Sequence, residues 1–233
     1  MARLTDRTGF ERLRPVTVAT TPEMIADQIR ELIRDGTLAP GTALTESRLA
    51  SQLLVSRGPV REALQRLVQE GLLQNERYRG VFVSRLTTQD IIDIYDARIV
   101  IEGAALRALV AQRPDKRLLQ RLERLIGEMA KAAEQENWAV LTATDLRFHE
   151  TLVDASRSKR LSRMYATLMV ESGMCLAMLK PAYSSYQSLV DEHRELLAAL
   201  ASADSEHVMS LIEAHLHDGV QTLVALSDHN GAH

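Results

Sequence analysis

The chain of 233 residues holds a single cysteine, Cys175. One thiol cannot close an internal disulfide, and it cannot build a cysteine-based zinc site. It lies in the apolar helical run "MVESGMCLAMLK", where buried packing is expected rather than a reactive thiol. A reducing cytoplasm is the simplest setting. No apolar run reaches the roughly eighteen residues of a membrane-spanning helix. The first residues, "MARLTDRTGFERLRPVTVATT", lack the apolar segment of a signal peptide. Lysine is missing from residues 1–86, which carry 13 arginines and 10 acidic residues, a net +3. Residues 87–233 carry 15 basic and 21 acidic residues, a net −6. A basic first part beside an acidic second part suggests different partners for each. Internal repeats, low-complexity tracts, a serine nucleophile elbow and a phosphate-binding glycine loop are absent too. What is present is an ordinary globular composition, 45% apolar.

The spacing predicts a mainly α protein in two parts: a winged helix-turn-helix, then an all-helical bundle of about six helices. Residues 1–20 lack apolar periodicity and read as a tail. Thr21 can cap a first helix, with Pro22 at its first position, and Gly36 stops it. "LAPGTAL" reads as a turn. A short helix covers about Thr45 to Leu53, and Ser56 caps a third over about Arg57 to Glu70. "LLQNERYRGVFVSRL" reads as a hairpin with its tip at Glu76–Gly80. From Thr87 onward only helices are expected, over 88–112, 115–135, 138–155, 157–179, 185–202 and 204–227. The implied organisation is tail 1–20, reading domain 21–86, helical domain 87–228 and tail 229–233.

Three helices and a hairpin place the start of the third helix where it can enter a major groove. Arg57 and Arg61 project together there, and arginine pairs two-pronged with guanine. Arg77 and Arg79 precede Gly80 at the hairpin tip, where glycine permits close approach to a phosphate or the minor groove.

In the second part, polar residues interrupt apolar stripes. Asp145 and His149 lie in "TDLRFHETL" beside Leu141, Phe148 and Leu152. His193 lies among Leu189, Leu196, Leu197 and Leu200. His215 lies with Leu211, Ile212 and Leu223. Inward polar groups require partners. Each histidine alone reads as a hydrogen-bonded core residue. Together, three imidazoles and a carboxylate suit one divalent metal. Zinc comes first, with nickel or manganese as alternatives. The remaining histidines, His207, His217, His229 and His233, read as bland. Arg98, one turn before Glu102, reads equally well as half of a salt bridge.

The residues also carry a family resemblance. "GTLAPGTALTESRLASQLLVSRGPVREALQRLVQEGLLQNERYRGVFV" resembles the DNA-binding domain of GntR-type bacterial transcription regulators. The resemblance implies a helix-turn-helix from Glu46 to about Gln65. It also implies DNA contacts among Ser47, Arg48, Ser56, Arg57, Gly58, Arg61, Arg79 and Gly80. Gly58 stands where the family usually has threonine, and Ser47 and Arg48 where it often has arginine then glutamate. "YDARIVIEGAALRALVA", "DLRFHETLVDAS", "EHRELLAALASAD" and "MSLIEAHLHDGV" resemble the FCD effector domain of the FadR branch. That resemblance implies Asp145, His149, His193 and His215 as metal ligands and Arg98 as the holder of an effector carboxylate. Ser158 stands where an asparagine is frequent. Six helices rather than seven suggest the VanR-like subgroup.

The expected function is a DNA-binding regulator, repressing in type, and not an enzyme. A homodimer reads an inverted repeat of double-stranded DNA, near the nucleoid, and a small organic acid at the metal modulates binding. One alternative is a constitutive regulator whose metal only staples the bundle. A metal-dependent hydrolase based on His217-Asp218 is a poor fit, because the downstream ligands such a site needs are missing.

Overall fold

A computed structural model of the chain describes residues 20–179 and 186–230. Its elements run α1 (Thr21–Arg34), β1 (Ala43–Leu44), α2 (Glu46–Leu53), α3 (Arg57–Gln69), β2 (Leu73–Glu76), β3 (Gly80–Val83) and then α4 (Thr88–Gln112). Next come α5 (Lys116–Glu134), α6 (Trp138–Ala155), α7 (Lys159–Leu179), α8 (Gln187–Ser202) and α9 (Ser205–Asn230). The architecture is mainly α, with six bundle helices following the winged module among the described residues. Of the tail expected over residues 1–20, all but Thr20 lies outside the described residues. Helix α9 runs to Asn230, past the expected end at 227.

Short polar residues set where the helices start. Thr20, one residue before the expected Thr21, caps α1, its backbone N–H donating to Glu23 at 2.8 Å, with Pro22 in the first turn. Thr87 and Asp90 form the reciprocal box that opens α4. Asp115 accepts from Leu118 N at the start of α5, and Asn137 from Val140 N at the start of α6. Each side chain satisfies a donor that has no partner within its own helix.

"LAPGTAL" does more than turn. Ala43 and Leu44 pair antiparallel with Phe82 and Val81, giving a three-stranded sheet in the order β1-β3-β2. Two residues carry too little periodicity to announce a strand. The pairing comes from β3 offering its second edge.

Two apolar clusters are buried. One joins Ile25, Ile29, Ile33, Val60, Leu64, Leu67 and Leu73 of the N-terminal module with Val170 and Met174 of α7. The other fills the bundle, with Leu106, Leu122, Met129, Phe148, Leu152, Tyr165 and Leu196 inside. Arg30 of α1 grips Glu70, just past α3, through two hydrogen bonds of 2.8 Å. Leu86, on the short link between module and bundle, packs against both clusters.

Leu54 closes α2 in the left-handed region, at φ 54° and ψ 42°, with its side chain 92% exposed. A leucine there strains against its own carbonyl and buries nothing in return. Leu54→Asn is expected to stabilise the protein by about 1 kcal/mol, since asparagine tolerates that backbone. An unchanged or lowered urea midpoint would contradict this account.

Candidate metal centre and nucleic-acid interface

Asp145 and His149 come from α6, His193 from α8 and His215 from α9. Their ligand atoms all lie within 4.8 Å of one another. His193 Nε2 is 3.2 Å from Asp145 Oδ1, and His149 Nε2 is 3.2 Å from His215 Nε2. Asp145, His149 and His193 are buried, while His215 keeps a partly open side chain.

Each imidazole is gripped from behind. His149 Nδ1 is 2.7 Å from Glu102 Oε2, His193 Nδ1 is 2.7 Å from the Leu189 carbonyl, and His215 Nδ1 is 2.7 Å from Glu192 Oε2. A proton on Nδ1 answers all three acceptors, which turns every Nε2 lone pair toward the centre. This is how metal-ligating histidines are oriented. Two lone pairs facing each other at 3.2 Å, as in His149 and His215, repel unless a cation lies between them. The spacing matches neighbouring ligands on a metal with bonds of about 2.1 Å. The donor set therefore fits a divalent ion.

Glu102 holds the second layer together. Its Oε1 accepts from Arg98 Nε at 2.8 Å and from the Tyr165 hydroxyl at 2.6 Å. Arg98 also lies over the Tyr95 ring, 5.0 Å from its centroid. Arg98 and Glu102 are 1% and 0% exposed, so the pair is an interior ion pair rather than a surface bridge. Among the described residues, four buried side-chain atoms lack a hydrogen-bond partner. Three of them, Asp145 Oδ1, His193 Nε2 and Arg98 Nη2, belong to this centre; the fourth is Ser172 Oγ.

The charges follow. Burial opposes ionisation of Glu102, but His149, the fixed charge of Arg98 and the Tyr165 hydroxyl outweigh it and hold the carboxyl well below its ordinary value. Burial opposes Asp145 too, and His193, His149 and His215 overcome it. Burial pushes the His149 imidazole down against the pull of Glu102. For His193, burial is outweighed by Asp145 and the Leu189 carbonyl, which raise it. Cys175 is buried, and that burial pushes its thiol up to about 12, which suits packing and not reactivity.

Glu192 and Tyr165 did not stand out in the sequence. Glu192 immediately precedes His193, a spacing that gives no hint of service to His215. Tyr165 sits at a core position of α7, where an aromatic reads as packing. His207 and His217 are exposed, and His229 and His233 fall outside the described side chains.

On the N-terminal module, Ser47, Arg48, Ser56, Arg57, Gly58, Arg61, Arg79 and Gly80 are all exposed. A Cβ added to Gly58 would meet nothing within 4 Å, so the start of α3 is sterically open. Arg61 is not free-standing: its fork meets Glu46 of α2 at 2.8 and 2.9 Å. That contact holds the guanidinium at the face of the module. At the wing tip Gly80 has φ +101°. Tyr78, between Arg77 and Arg79, is 91% exposed at φ 66°. Arg77 lies over its ring at 4.9 Å, and Arg79 lies over Phe82 at 5.1 Å. An exposed aromatic between two arginines was the overlooked signal here.

The family model for bacterial regulatory proteins of the gntR family matches residues 21–83, and the FCD domain model matches residues 93–218. A gluconate operon transcriptional repressor from Bacillus licheniformis is 29% identical over 205 residues, 86% of this chain and 84% of that protein. An Nta operon transcriptional regulator from Aminobacter aminovorans is 28% identical over 177 residues, 76% of this chain and 82% of that protein. The crystal structure of a GntR transcriptional regulator from Rhodococcus sp. RHA1 superposes with a TM-score of 0.78 at 26% identity. It covers 89% of this chain and 99% of its own. The E. coli protein McbR/YncC shares the fold, with a TM-score of 0.78 at 24% identity over 88% of this chain and 98% of its own.

A winged reading module on an all-helical bundle of this kind is a transcription regulator and not an enzyme. The chain belongs to the gntR family of bacterial regulatory proteins and carries an FCD domain.

Glu102→Gln leaves the Arg98 charge buried without its counter-ion, so a loss of about 3–5 kcal/mol in denaturation free energy is expected at neutral pH. The depressed carboxyls contribute stability above their ordinary values of 4.5 and 3.8, and that contribution is lost as pH falls. His149, also lowered, adds to the acid loss below 6.5, while the raised His193 opposes it. The urea midpoint of metal-free protein should therefore drop on acidification from about pH 5 to 3. A flat midpoint over that range would refute the ionised Glu102 and Asp145.

Proposed function

We propose that the protein is an effector-responsive repressor. Its bundle holds one divalent metal on Asp145, His149, His193 and His215, and a small organic acid joins that metal and Arg98. The observation that carries this reading is the convergence of Asp145, His149, His193 and His215, whose ligand atoms all lie within 4.8 Å of one another, with Arg98 Nη2 buried and without a hydrogen-bond partner. Orphaned buried polar atoms are costly, and an arginine terminus beside a metal suits a carboxylate. When bound, the metal supplies a Lewis-acid anchor for the effector's oxygens. Arg98 supplies the opposite charge, and Glu102 keeps Arg98 and His149 in place. Zinc suits the donors first, with nickel or manganese also suited.

The reading domain spans 21–86 and the metal and effector domain 87–228. Six bundle helices accord with the VanR-like subgroup. Two copies form a homodimer whose symmetry matches an inverted repeat, in the cytoplasm at the nucleoid. Ser47, Arg48, Ser56, Arg57, Gly58, Arg61, Arg79 and Gly80 meet the DNA. Glu46 pre-orients Arg61, so the fork enters the groove with little conformational freedom left to lose. The gluconate operon repressor similar to this chain is named for repression, which supports the same direction here.

Two outcomes test the halves separately. His149→Ala combined with His193→Ala should abolish stoichiometric metal in elemental analysis of purified protein, and full retention would show that the ligand set is wrong. Arg61→Ala should weaken specific binding by about 1–3 kcal/mol on an operator selected in vitro, read by fluorescence anisotropy. Unchanged affinity would remove Arg61 from the recognition surface.

A further inference from the structure

Helix α7 is shared between the two buried clusters. Tyr165, Met169, Cys175 and Leu176 lie in the bundle core, whereas Val170 and Met174 lie in the core of the N-terminal module. Between Val170 and Met174 comes Gly173. A Cβ built on Gly173 would stand 2.5 Å from Arg34 Cγ, 3.0 Å from the Arg34 carbonyl oxygen and 3.2 Å from Arg34 Cα. The 2.5 Å contact is closer than real Cβ atoms come, and the two backbone contacts are tighter than most, so Arg34 and α1 would have to shift. The φ of Gly173 is not in the left-handed region, so close approach, and not backbone freedom, is what requires glycine there. A glycine inside a helix costs about 1 kcal/mol relative to alanine. Here that cost brings the last turn of α1 directly against the backbone of α7.

The other end of α7 reaches the polar centre. The Tyr165 hydroxyl donates to Glu102, whose second oxygen faces His149. Tyr165 and Gly173 are about 12 Å apart along one uninterrupted helix, from a rise of 1.5 Å per residue. A packed helix moves as a unit, so a displacement at Tyr165 arrives at Gly173. Without this junction, the module would hang from the bundle on the short link at Leu86.

We propose that Gly173 is a positioning residue for the reading module: α7 couples the Asp145/His149/His193/His215 centre to α1 and so sets the pose of the module on the bundle. This rests on the reading of that centre as a divalent-metal site. The ligand atoms now span up to 4.8 Å, so binding draws them together. His149 is the ligand tied through Glu102 to Tyr165, and that tie carries the shift into α7. Coupling of this kind requires that the two poses bind metal with different affinity.

The test uses the full chain with and without saturating zinc. Zinc affinity is read by titration calorimetry and local opening by hydrogen–deuterium exchange. In wild type, zinc should slow exchange in α6 and α8 and also change exchange across α1, Thr21–Arg34. In Gly173→Ala, zinc should still bind one equivalent and still protect α6 and α8, while the zinc-dependent change in α1 is lost. A merely structural glycine would instead raise α1 exchange in both states and leave the zinc-dependent change intact, and that result overturns the proposal. So does a silent α1 in zinc-bound wild type, which leaves the metal reading standing. Absence of any zinc binding defeats the metal reading itself and the coupling with it. If Gly173→Ala fails to fold, Met174→Ala loosens the same junction without a steric push, and Tyr165→Phe cuts its other end. Each should show the same loss of zinc-dependent change in α1, and retention in both overturns the proposal.

Discussion

The bundle depends on one buried carboxylate. Glu102 is fully enclosed and takes hydrogen bonds from Arg98 on its own helix and from Tyr165 on α7, while its other oxygen meets His149 on α6. Removing two charges from water costs several kcal/mol per ion, and only close pairing with satisfied hydrogen bonds recovers it. Glu102 meets that condition by drawing three helices to one point. It thereby fixes the height of α6 and α7 on α4. It also sets the His149 tautomer, which in turn points Nε2 at Asp145, His193 and His215. The polar centre and the packing of the bundle are consequences of the same contact.

The N-terminal module is built on the opposite plan. Its core is wholly apolar, and Arg48, Arg57, Arg61, Arg77 and Arg79 lie outside, where solvent screens them. The Arg61–Glu46 pair adds little stability at that exposure, but it limits where the guanidinium can be. Arginine without lysine suits such a surface, because a planar fork keeps its geometry on a phosphate or a base edge. The acidic bundle behind it repels nucleic acid, which concentrates any DNA contact on the module.

Much of the fold was legible in the residues. Helices α4 and α6 were expected at 88–112 and 138–155, where the structure has them, because the apolar stripes are long; Thr87 and Asn137 cap them in the structure. The pairing of Asp145 with His149 followed from their spacing on one helix. Strand β1 was not legible, since two residues form a strand only when a neighbouring edge is present. Arg98 and Glu102 were ambiguous for a related reason. An i, i+4 ion pair reads the same at the surface and in the core, and the difference lies in which helices pack over it.

The sequence by itself determined the order of the helices and the hairpin, the winged module, the helical bundle and the four residues offered as metal ligands. These depend on local periodicity, capping and short-range spacing. Only the tertiary structure decided that Glu102, Tyr165 and Glu192 stand behind those ligands, that Arg98 ends in an unpartnered nitrogen, and that Gly173 lies against Arg34. Each of these joins residues far apart in the chain, and their meeting is set by how whole helices pack, which no local pattern encodes.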